Sequence, residues 1–86
     1  MRRGIMIFNV MEQEWKIWIG QQAYVVQAGM GIELRIKNRY FRAHLLKNDH
    51  WNVLLDQEVL FDLNIFEVYK VRVHPLDLLE DFDLPF

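Results

Sequence analysis

Three histidines, His44, His50 and His74, are the only imidazoles in this sequence, and no two stand three or four residues apart as ligands on one helical turn would. Serine, threonine and cysteine are absent altogether. The common hydroxyl and thiol nucleophiles are therefore missing, which excludes covalent catalysis of the triad type and any thiolate metal site. Gly29-Met30-Gly31 lacks the length and the Lys-Ser or Lys-Thr ending of a phosphate-cradling loop. One pairing of chemical interest remains. Glu33 and His44, set opposite one another by the strand pattern below, have the chemistry of an acid–base pair or of two metal ligands. The plainer reading is a solvated strand face, and Asp77, Glu80, Asp81 and Asp83 read likewise as a solvated tail. A non-enzymatic protein without cofactor or metal is expected.

The elements that would position these side chains centre on residues 32 to 55. Ile32-Glu33-Leu34-Arg35-Ile36-Lys37 alternates apolar with charged, the period of a strand with one buried face. A turn at Asn38-Arg39 then sets Ile36 opposite Phe41, Leu34 opposite Ala43 and Ile32 opposite Leu45. The outward pairs become Lys37 with Tyr40, Arg35 with Arg42 and Glu33 with His44. A second loop, Lys47-Asn48-Asp49, sets Leu45 against Trp51, Ala43 against Val53 and Phe41 against Leu55. A three-stranded meander is predicted.

Upstream, residues 5–10 and 15–19 read as a hairpin around Met11 to Glu14, pairing Val10 with Trp15. Met6, Phe8, Val10, Trp15, Ile17 and Ile19 then share one face, with Ile5, Ile7 and Trp18 on the other. Tyr24-Val25-Val26 predicts a short strand and Gly29-Met30-Gly31 a loop. Downstream, residues 58–66 predict a brief strand and then a turn. Residues 67–74 predict a firmer strand, with Tyr69, Val71 and Val73 inward and Lys70 and Arg72 outward. Pro75 ends that strand because it has no N–H for a ladder. Beyond it, the chain either starts a short helix with proline in first position or stays extended as an acidic tail.

With 86 residues the chain makes one domain; it is 52% hydrophobic and 14% aromatic, a composition that favours packed β structure. The predicted architecture is all-β and mainly antiparallel, a small SH3-like or OB-like barrel or a bent meander. The β domain is expected over residues 1–75, with an acidic and apolar tail over residues 76–86. From Gly31 to Leu55, a glycine, an alternating strand, the Tyr40-Phe41-Arg42 strand and a strand led by Trp51 resemble small uncharacterised domains of Gram-positive bacteria and their phages. Asn52 departs from that pattern where a second aromatic is expected. The resemblance implies a small all-β domain and no known activity.

No apolar run reaches the roughly 18 residues that cross a bilayer, and Met1-Arg2-Arg3-Gly4 leads into no cleavage site. A cytoplasmic protein without membrane attachment is expected, in keeping with the absence of cysteine. The formal charge of −2 conceals a division, with every Lys and Arg between Arg2 and Arg72 and acids crowding the end. Arg35, Lys37, Arg39, Tyr40 and Arg42 predict a nucleic-acid-binding face, cations for phosphate and Tyr40 for a base. The alternative is a protein-interaction or inhibitory adaptor of phage or mobile-element type, monomeric or homodimeric, acting through Trp18 or the tail. Asp81-Phe82-Asp83-Leu84-Pro85-Phe86 resembles the peptides that bind bacterial sliding clamps, which implies that Phe82, Leu84 and Phe86 fill an apolar pocket. Asp81 stands where such peptides have Gln. The same residues would otherwise fold back over Ile7 and Trp18.

Overall fold

Alternation of apolar and polar side chains becomes nine strands in the computed structural model, which describes the backbone of residues 1–80 and the side chains of residues 1–78. They are β1 (Arg2–Asn9), β2 (Glu14–Ile19), β3 (Gln22–Val25), β4 (Gly31–Ile36), β5 (Arg39–Lys47), β6 (Trp51–Leu55), β7 (Val59–Asp62), β8 (Tyr69–Val73) and β9 (Leu79–Glu80). A 3₁₀ turn, Pro75–Asp77, precedes β9. It begins with the proline, and the His74 ring nitrogen Nδ1 accepts the Leu76 N–H at 3.2 Å. β9 pairs with β3, so the sheet continues past residue 75. The expected tail residues Phe82, Leu84 and Phe86 lie outside the described residues.

All strands join one antiparallel sheet in the order β7-β6-β5-β4-β8-β1-β2-β3-β9. Two meanders, β1 to β3 and β4 to β7, are thus joined edge to edge by β8, which arrives last of these. Among the described residues the sheet stays open, with β7 at one end and β9 at the other, so the architecture is a bent sheet and not a closed barrel. It curls strongly. β7 and β8 stand four strand spacings apart along the sheet, about 19 Å if it were flat, yet the Phe61 and Tyr69 ring centroids are 6.4 Å apart. Tyr69 also meets Trp15 at 5.7 Å, and Trp15 meets Phe8 at 5.4 Å, so an aromatic file crosses the concave side. Around it Met6, Ile17, Leu34, Ala43, Leu45, Val53, Val71 and Val73 form one fully buried core.

The expected faces are those observed, but each hairpin has a different pairing. In β4–β5 the turn is Lys37-Asn38, giving Ile36↔Arg39, Arg35↔Tyr40, Leu34↔Phe41, Glu33↔Arg42, Ile32↔Ala43 and Gly31↔His44. Arg35 does not oppose Arg42, and Glu33 does not oppose His44. Stepping the strand by two residues keeps every side chain on its face, so burial alone does not choose between these registers. Cross-strand charge favours one of them: the observed pairing places Glu33 against Arg42 in place of two arginines. In β5–β6 the loop is Asn48 to His50, giving Lys47↔Trp51, Leu45↔Val53 and Ala43↔Leu55, and the Lys47 ammonium stacks over Trp51 at 5.3 Å. In β1–β2 the pairs are Phe8↔Trp15 and Met6↔Ile17, which leaves Val10 exposed in the turn and off the expected apolar face.

Gly4 sits where β1 runs between β8 and β2. A Cβ there would lie 2.6 Å from the Trp18 carbonyl oxygen and 3.0 Å from Ile19 Cγ1, so backbone would have to move. Gly4→Ala should therefore destabilise by about 1–3 kcal/mol. Urea denaturation measures this, and an unchanged midpoint would contradict the tight approach of β1 to β2.

Candidate nucleic-acid interface

The convex side of the sheet collects cations from strands far apart in sequence. On β1, β8, β4 and β5 the outward side chains form one row, Arg3, Arg72, Glu33, Arg42, by successive pairings Arg3↔Arg72, Glu33↔Arg72 and Glu33↔Arg42. A parallel row runs Trp18↔Ile5↔Lys70 and, one step along the β4–β8 ladder, on to Arg35↔Tyr40. Arg35, Lys37, Val68, Tyr69 and Lys70 line an open depression of about 280 Å³ between β4 and β8. Two arginines do face each other directly across a ladder, but they are Arg3 and Arg72.

These cations differ in how far they are engaged. Arg72 pairs with the Glu33 carboxylate and lies 4.0 Å over the Tyr40 ring, so it is used internally and covers one face of that ring. Arg35 donates from Nε to the Lys37 carbonyl at 3.0 Å and from Nη2 to the Asn38 side-chain oxygen at 3.2 Å, bracing the hairpin turn. Lys16, outward in phase, is buried and paired with Glu12 at 2.9 Å. Arg3, Arg42 and Lys70 are exposed and make no ion pair among the described residues. Glu33 is the only carboxylate on these four strands.

Of the five expected binding residues, Arg35, Tyr40 and Arg42 share this face and Lys37 sits at its rim in the turn. Arg39 does not join them. It falls in phase with Phe41, stacking on that ring at 5.4 Å on the other side of the hairpin. Arg3, Lys70 and Arg72 were missed as members because nothing local to residues 67–74 says that this strand lies between β1 and β4. Trp18, 39% exposed, and Ile5, 37% exposed, extend the face on β2 and β1. His50 bonds Asp62 at 2.9 Å through Nε2, and among the described residues no three His, Asp or Glu side chains converge as metal ligands. No described helix is long and apolar enough to cross a membrane.

Comparison of the chain with protein-family models, with curated proteins and with solved structures finds no match.

The turn at the rim carries a local cost. Lys37 adopts φ 57°, the left-handed region that disfavours a Cβ, whereas Asn38, the expected turn former, serves instead as acceptor for Arg35. Lys37→Gly should raise the melting temperature by about 2–4 °C, the left-handed strain exceeding glycine's entropy cost by roughly 0.5 kcal/mol. Calorimetry checks this, and a lowered melting temperature would show that the Lys37 side chain contributes to the fold.

Proposed function

We propose that this chain is a small non-enzymatic cytoplasmic module that binds single-stranded nucleic acid across the convex face of its sheet. The observation that carries this reading is the grouping on one face of Arg3, Arg42 and Lys70, exposed and without an ion pair among the described residues, with Lys70 in the row that runs from Trp18 to Tyr40 and Arg3 and Arg42 in the row beside it. A phosphate backbone is the polyanion that relieves such a surplus, and aromatic rings on the same surface offer stacking to unpaired bases. Duplex DNA would leave those rings idle. Trp18 is the better platform, since Arg72 already covers one side of Tyr40.

Fluorescence anisotropy with a labelled oligothymidylate and an oligouridylate tests the reading. The triple variant Arg3→Ala, Arg42→Ala, Lys70→Ala should bind at least about tenfold more weakly and lower the salt slope by about 2, since each lost phosphate contact removes about 0.7. These side chains are exposed, so melting temperature should change little. Trp15 and Trp51 are buried, so quenching of tryptophan emission on binding should report Trp18 and disappear in Trp18→Leu. Affinity unchanged in the triple variant would end this proposal.

A further inference from the structure

The strand at the opposite extremity of the sheet has another character. β7 pairs with β6 alone among the described strands, and its four residues, Val59-Leu60-Phe61-Asp62, are all exposed. The Leu63 N–H donates to the Trp51 carbonyl at 3.2 Å, which sets the phase of the β6–β7 ladder. With Val53↔Phe61 and Leu55↔Val59 paired in that phase, the backbone groups of Val59 and Phe61 face β6, and those of Leu60 and Asp62 point away from it. Protein edges of this kind are usually guarded by lysine, proline or a covering loop. β7 has no lysine or proline, and the connection after it adds exposed Ile65, Phe66 and Val68.

Charge selects the occupant. Residues 48–69 contain Asp49, Asp56, Glu58, Asp62 and Glu67 and not one Lys or Arg. Pairing β7 with the β7 of a second copy would bring Glu58 and Asp62 of both copies together, and a nucleic acid would meet the same repulsion. Val59 and Phe61 lie toward the concave side, Leu60 and Asp62 toward the convex side. A strand added here would therefore set apolar residues beside Val59 and Phe61, and cations with their alkyl stems along Leu60 beside Asp62, whose exposed carboxylate also bonds the His50 ring at 2.9 Å. We infer that β7 is a docking edge that takes up an extended segment of another protein, apolar at alternate positions with Lys or Arg between them, by strand addition.

The test uses the full chain and a labelled, end-capped peptide of alternating valine and lysine, with a valine–glutamate peptide as control. The valine–lysine peptide should bind more weakly as salt rises, and the Leu60 and Asp62 amides should gain protection from hydrogen exchange in the complex. Leu60→Pro removes an outward N–H together with the Leu60 side chain and no N–H that faces β6, so it should lower affinity about tenfold or more while keeping the β6 ladder. Should that variant unfold, Glu58→Lys with Asp62→Lys, which leaves the backbone intact, should produce a similar loss. Equal binding of the two peptides, or affinity indifferent to both variants, would overturn the inference. So would a dimer in sedimentation that Leu60→Pro dissolves, because the occupant would then be a second copy.

Discussion

Hydrogen bonding along both edges of β8 holds the two halves of the molecule together. On one side Tyr69 to Val73 run against Arg2 to Met6; on the other Val71 and Arg72 meet Leu34 and Glu33. The second ladder is short, and Arg72 reinforces it by pairing with Glu33 on β4 and lying over Tyr40 on β5. Val71 and Val73 are wholly buried beneath, and Tyr69 meets both Trp15 and Phe61. Five residues thus unite the sheet, close its concave core and draw Arg3, Lys70 and Arg72 into the cationic rows outside.

Period-two patterning made most strands and nearly all inward positions legible, because one wet face and one dry face leave a strand a single acceptable orientation. Ile32, Leu34, Ala43, Leu45, Val71 and Val73 are inward as expected. Patterning did not determine partners. A two-residue step in register leaves each side chain on its face, so the contest between Arg35–Arg42 and Glu33–Arg42 falls to pair energies of about 0.2–1 kcal/mol and to the strain at Lys37. Strand order was less legible still. That residues 69–73 slot between residues 2–6 and 33–34 depends on contacts remote in sequence, for which local pattern carries no signal. The candidate face was accordingly half visible: Arg35, Tyr40 and Arg42 from one hairpin, without the cations that β1 and β8 bring beside them.

Curling the sheet segregates its chemistry. The inner side carries the aromatic file, and the outer side of β1, β8, β4 and β5 carries cations that burial would penalise by several kcal/mol each if unpaired. Acids and exposed apolar groups gather instead at β7 and the connection after it. The two regions differ in the sign of their charge and lie on separate parts of the surface, so the two proposed contacts would not compete for the same residues.

The late position of β8 also affects how the chain emerges during synthesis. Translation delivers β1 to β3 and then β4 to β7 before the segment that must lie between them, so β1 and β4 each wait with an open row of amides and carbonyls. Insertion of a strand between two preformed partners also closes the longest loops in the molecule, which slows folding relative to a simple meander of equal size. Until residues 69–73 take their place, a partly folded chain exposes two sticky borders at once, one on β1 and one on β4.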